Sequence, residues 1–165
     1  VTADAMDSGL FRRVLRRHAS AVVVVTLPGP VGFTATSFTS VSLDPPLVSF
    51  SVAKAASVWP SVEAAGLVAV HVLTDDQEQV ARTFAAPGID RFAEHSERRG
   101  SWHEGPDGVP VLDGVLAVLI CKAVKLVEAG DHVIVIASPV SATHHDDESA
   151  APLVYHAGTY MTLER

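Results

Sequence analysis

Cysteine is almost missing from this chain: Cys121 is the only one in 165 residues, so no intrachain disulfide can form. Its neighbours Val118, Leu119 and Ile120 place it in an apolar strand as a buried, unreactive thiol, which suits a reducing cytoplasmic setting. Basic residues are few. Twelve Lys and Arg stand against nineteen Asp and Glu, a formal charge of -7 and a pI near 5.5, so general attraction for nucleic acid or an anionic membrane is lacking and neither is expected as a partner. No apolar run approaches the ~20 residues of a membrane span. The opening VTADAMDSG has no basic segment followed by an apolar core, so the protein is not expected to be exported. Also lacking are G-x-S-x-G, the P-loop and G-x-G-x-x-G, which removes the motif support for a hydrolase, a P-loop enzyme or a Rossmann dinucleotide site.

What is present is a hydrophobic fraction of 48% with 19% charged residues, enough to fold as a single domain over residues 1–165. Leu10, Phe11, Val14 and Leu15 share one face of a short helix with Asp7 or Ser8 as its cap, and four arginines share the other. AVVVVTL is a β-branched strand, VGFTATSF its antiparallel return, and LVSFSVA alternates as a third strand should. SVWPSVEAAG predicts a helix capped by Ser57 with Pro60 in its first turn, and DDQEQVARTFA a helix begun by Asp75 or Asp76. Pro87 to Asp113 is expected to be loop, including a charged patch from Glu94 to Arg99. GVLAVLICKAVKLVEAG, DHVIVIASPVSAT and PLVYHAGTYMTL return to strand. Many strands with few peripheral helices favour a mainly β, closed or nearly closed barrel.

Three clusters could carry chemistry. Hydroxyls are dense at Thr34, Thr36, Ser37, Ser40 and Ser42, alternating at Thr34 and Thr36 and again at Ser40 and Ser42, and suit either an ordinary wet strand or the binding of a polar, phosphorylated ligand. Lys54 and Ser57 add an ammonium and a helix start beyond the next strand. Asp131-His132 at a turn is either a hydrogen-bonded turn pair or a histidine aimed at a pocket mouth; Tyr155-His156-Ala157-Gly158-Thr159-Tyr160 is either a packed closing strand or a second mouth. His144-His145-Asp146-Asp147 reads as solvated loop, and His71 inside VAVHVL as a satisfied core histidine.

With these residues in place the chain, from about Leu10 to Leu163, resembles the flavin reductase-like family of FMN-binding split barrels, the reductase components of two-component flavin monooxygenases. GFTATSFTSVSLDPPLVSFSV resembles the family's flavin signature, AGDHVIVIASPV its Gly-Asp-His segment, FAAPGIDRF the loop after its second helix and PLVYHAGTY its closing strand. The resemblance implies an FMN-binding split β-barrel that reduces FMN or FAD with NADH or NADPH and feeds a partner oxygenase, usually as a homodimer. It implies that Thr34, Ala35, Thr36, Ser37, Ser40, Val41 and Ser42 meet the ring edge and ribityl chain, that Ala53, Lys54 and Ser57 lie near the phosphate, and that Arg91 and Phe92 close the site. It also puts His132 at the nicotinamide, with His156 and Tyr160 near the same mouth. Thr36 stands where serine is more usual, and Ala-Ser-Pro follows the Asp-His strand where Gly-Glu is common. Two other functions fit such a barrel: tight FMN used on the protein's own substrate, and a flavin-binding electron carrier without turnover.

Overall fold

The valine run founds the sheet. In a computed structural model that describes residues 6–93, 101–146 and 149–163, Val23–Leu27 forms β2, buried along its whole length. Val23, Val25 and Leu27 enter one hydrophobic core while Val24, with the preceding Val22, enters a second on the opposite face. A strand buried on both faces needs apolar residues at every position, and the β-branched side chain fits the pleat.

Around β2 the chain lays down β3 (Val31–Ala35), β4 (Thr39–Leu43), β5 (Pro46–Ala53), β6 (Leu67–Val72), β9 (Ala117–Ala129) and β10 (His132–His144). Their order is β3-β2-β6-β9-β10-β5-β4, antiparallel throughout, with Val25 opposite Phe33 and Val135 opposite Phe50. The two edge strands of this sheet, β3 and β4, are consecutive in sequence and joined only by Thr36, Ser37 and Phe38. The sheet therefore curls until its edges meet at that junction without pairing, which is the split of a split β-barrel. The fold is mainly β with few helices, as expected.

A three-stranded sheet, β1 (Ser20–Ala21) with β11 (Leu153–His156) and β12 (Thr159–Thr162), and a hairpin, β7 (Trp102–Glu104) with β8 (Pro110–Leu112), complete it. The closing segment is thus two strands rather than one. They turn at Ala157 and Gly158, with φ of 53° and 92°, the left-handed pair a two-residue hairpin requires. The stretch from Pro87 to Asp113 is not all loop either, since it holds the β7–β8 hairpin; the patch from Glu94 to Arg99 lies outside the described residues.

Helix α1 (Ser8–Leu15) is capped by Asp7, whose Oδ2 accepts the Leu10 N–H at 2.7 Å. Helix α2 (Trp59–Ala64) carries Pro60 in its first turn but is not capped by Ser57: Val58 holds the N-cap position and no side chain bonds there. Helix α3 (Glu78–Ala85) is entered through a 3-10 turn, Asp75–Gln77, whose cap is Thr74 and not an aspartate. Gln77 Oε1 accepts the Thr74 N–H at 2.9 Å, one half of a capping box. The ring of Phe84, on α3, lies so close to Gly32 that a Cβ there would stand 2.6 Å from it, so glycine is what lets α3 seat against β3. No helix among the described residues is long and apolar enough to cross a membrane.

Candidate functional site

The barrel's split opens a cavity of about 710 Å³. One wall is Phe33 to Ser37, running from β3 into the junction; the facing wall is Ser51 to Ala53 of β5, and Ala55 to Val58 extend it. Phe84, Ala85, Pro87 and Arg91 close a third side, and His132, at the start of β10 and opposite Ala53, stands at the rim. Small side chains at Ala35, Ala53, Ala55 and Ala56 leave the floor open, while Phe33, packed against Phe50 with ring centroids 6.0 Å apart, supplies an apolar surface.

The hydroxyls are not equivalent. Thr34 Oγ1 donates to the Ala81 carbonyl at 2.7 Å and so ties β3 to α3. Ser37 Oγ accepts the Ser51 N–H at 2.9 Å, and its contact with the Ser51 carbonyl, 3.5 Å, is too long to hold the hydroxyl proton firmly. That proton remains available to a ligand.

Arg91 is the one guanidinium lining the cavity. Its Nε and Nη2 donate to the Ala86 carbonyl at 3.2 and 3.0 Å, Nη1 donates to the Gly32 carbonyl, and among the described residues no carboxylate pairs with it. A half-buried, immobilised positive charge without a counter-ion suits a phosphate.

At the rim His132 Nδ1 lies 2.7 Å from Asp131 Oδ1, and this hydrogen bond is the main cause that holds the Asp131 carboxyl below its usual range. With Nδ1–H given to the carboxylate, Nε2 is left as an acceptor in the neutral ring. The turn pair and the pocket-mouth histidine are the same residue doing both.

Of the other residues singled out from sequence, Ser40, Val41 and Ser42 do not line this cavity: they lie on β4, the outer edge, where a bulge breaks the alternation between Ser40 and Ser42. Lys54 turns away as well, its Nζ 3.0 Å from Glu128 Oε2. Phe92 packs behind the wall on Phe84 and Trp102, with centroids 5.1 and 5.0 Å away. Tyr160 lies in a neighbouring cavity that shares Ala85, under Arg82 at 4.9 Å, and His156 lines neither. Ser51, Phe84 and Pro87 belong to the wall without having been anticipated, because no local pattern marks them.

His71 is buried and satisfied: the Leu112 N–H donates to Nε2 at 3.1 Å, so Nδ1 carries the proton toward the Val24 carbonyl at 3.0 Å. Burial pushes its pKa down to about 4, and the same cause pushes the Cys121 thiol up to about 11, which leaves it unreactive. His144 and His145 are exposed, and among the described residues no cluster of His, Cys, Asp or Glu is arranged to hold a metal.

Comparison with known proteins gives a consistent picture. Residues 15–164 match the family described as flavin reductase like domain. An NADH:FMN oxidoreductase of Rhodococcus erythropolis is 44% identical over 158 residues, covering 93% of this chain and 80% of that protein. The reductase subunit of a flavin-dependent monooxygenase from Rhodococcus jostii is 33% identical over 167 residues, covering 99% and 82%. Among solved structures, a Streptomyces globisporus NADH:FAD oxidoreductase in complex with NAD and FAD fragments superposes with a TM-score of 0.87 at 34% identity, covering 98% of each chain.

Proposed function

The chain belongs to the flavin reductase-like family, and from that premise we propose that it reduces FMN or FAD with NADH or NADPH in the cavity at the barrel's split and releases the reduced flavin to a partner monooxygenase. The observation that carries the reading is the pairing of a wide cavity lined by alanines with one guanidinium, Arg91, that has no carboxylate partner among the described residues. A flat heterocycle fits the first and its phosphate the second.

When both nucleotides are bound, the nicotinamide and the flavin supply the hydride chemistry themselves. The protein's residues bind and orient. The Phe33 ring and the alanines form a flat apolar slot, Thr36 and Ser37 offer hydroxyls to the ring edge and ribityl chain, and Ser57 and Arg91 hold the phosphate. His132, its ring set by Asp131, presents Nε2 to the carboxamide of the nicotinamide at the rim. With both nucleotides bound, such a site would work by orienting them for transfer, and it needs no strong acid or base. Ser40, Val41 and Ser42, beyond the cavity on an open sheet edge, reach a ligand only where a second copy extends the site along β4.

A homodimer is part of this reading. Helix α1 buries none of its residues, Leu43 on β4 is 90% exposed, and such apolar surface is what a second copy covers.

Anaerobic NADH oxidation with added FMN, FAD or neither tests the function. Turnover that requires excess flavin is the expected result; no oxidation with either flavin would remove the reading.

A further inference from the structure

The cavity at the split does not end at Arg91. A second cavity of about 350 Å³, bounded by Pro30, Ser61, Ile89 and Asp90, shares Ser57, Val58 and Arg91 with the first. These three residues are a threshold between two rooms.

The chemistry changes across it. A guanidinium has five N–H donors, of which Arg91 spends one each from Nε, Nη1 and Nη2 on backbone carbonyls. Each terminal nitrogen keeps one, so two donors remain at the threshold. The Ser57 side chain, lining both rooms, makes no hydrogen bond among the described residues. This is a place for a phosphate or a pair of them.

Beyond the threshold no further cation lines the walls among the described residues, and the charged group there is Asp90. Its Oδ1 accepts the N–H groups of Phe92 and Ala93 at 3.2 and 3.1 Å, which fixes the carboxylate in place. A fixed carboxylate opposes another anion and accepts from neutral donors such as hydroxyls or an amine. Pro30, Val31, Ile89 and Phe92 supply apolar surface beside it. The room therefore suits a neutral group with an apolar surface and hydroxyls, joined to the first room through phosphate.

We propose, resting on the flavin-reductase reading above, that this second cavity takes the adenosine half of FAD, with the pyrophosphate held at Arg91 and Ser57, so that FAD is preferred to FMN. FMN fills only the first room and gains nothing from Asp90 or Ile89.

The test is calorimetric titration with FAD and with FMN of the wild-type protein and of two variants that fill the second room, Ser61→Trp and Ile89→Trp, together with NADH-driven turnover on each flavin. The expected result is FAD binding tighter than FMN by about tenfold or more, the worth of ~1.4 kcal/mol of added contact, with the ratio falling toward one in both variants. Two variants, one on α2 and one in the loop after α3, guard against one that fails to fold, which circular dichroism detects. Equal affinity for the two flavins in the wild type, or a ratio that neither folded variant moves, overturns the proposal while turnover on FMN leaves the reductase reading standing. Reduction of neither flavin overturns both.

Discussion

Ser37 and Ser51 face each other across the barrel's split and are joined by one hydrogen bond, the Ser51 N–H to Ser37 Oγ at 2.9 Å. The junction between the two edge strands is thereby anchored to the middle of β5, and the hydroxyl keeps a proton for whatever enters the cavity. Replacing Ser37 with alanine removes the acceptor and leaves a strand N–H unpaired at a partly wet position. The expected cost is about 1 kcal/mol of stability, or a fall of about 2–4 °C in melting temperature. Flavin affinity falls by about fivefold in the same variant, because the donor to the ring edge goes with the acceptor. Thermal denaturation and flavin titration read the two effects separately, and an unchanged affinity would take Ser37 out of the site.

Arg91 offers a sharper division. Lysine keeps the charge but cannot span the Gly32 and Ala86 carbonyls and a phosphate at once. Arg91→Lys is expected to raise the KM for flavin about tenfold with kcat changed by less than about twofold, the pattern for lost ground-state binding. A fall in kcat at unchanged KM would instead place Arg91 at the reacting rings.

Much of this was legible along the chain, and the parts that were not share a cause. The valines of β2 and the alternation of β5 announce themselves because one face or both must be apolar. The strands β7 and β8, three residues each among glycines and prolines, are too short to show any period. Two aspartates mask Thr74 as a cap in the sequence, yet the capping box is set by the glutamine three residues on, which Gln77 supplies. Thr34 to Ser37 are contiguous, so a local pattern marks them; Ser51 on β5, Phe84 on α3 and Pro87 in the loop that follows reach the same cavity from separate parts of the chain, and only the folded sheet brings them there. Ser40 and Ser42 do not line the cavity of the single chain, because a bulge breaks the alternation there and the strand lies at the sheet's edge.

His132 separates the two nucleotides. It lines the rim and its ring is oriented by Asp131, so His132→Ala is expected to raise the KM for NADH about five- to tenfold, roughly the worth of one lost hydrogen bond, with flavin affinity little changed. Steady-state kinetics with each substrate varied in turn decides it. A loss confined to flavin binding would move His132 to the other side of the site.

Dimerisation is testable on α1. Leu10, Phe11, Val14 and Leu15 are 45%, 50%, 56% and 53% exposed, an apolar stripe with no cover in the single chain. Wild-type protein is expected to sediment as a dimer at micromolar concentration, and Phe11→Glu to shift it toward monomer by placing a charge in a desolvated contact. A wild-type monomer would remove the expectation, and a dimer indifferent to Phe11→Glu would move the interface elsewhere, with the β4 edge the next surface to test.

His71 makes stability depend on pH, with a direction that follows from its two hydrogen bonds. The neutral ring both donates to Val24 and accepts from Leu112, and only the neutral form can do so. Burial, with a smaller contribution from the charge of His103, lowers its pKa from 6.5 in the unfolded chain to about 4 in the folded one. Between these values the unfolded chain binds more protons, so this residue's contribution is whole above pH 6.5, declines as the pH falls, and levels off near pH 4. Over the full window the loss is about 3 kcal/mol. Glutamine at this position can still donate through its amide and accept through its carbonyl, but it does not titrate. Urea denaturation of wild type and His71→Gln between about pH 7 and about pH 4 is expected to show a steep decline in the first and a flatter one in the second. Parallel curves would mean that His71 is protonated in the folded chain or that other groups govern its acid stability.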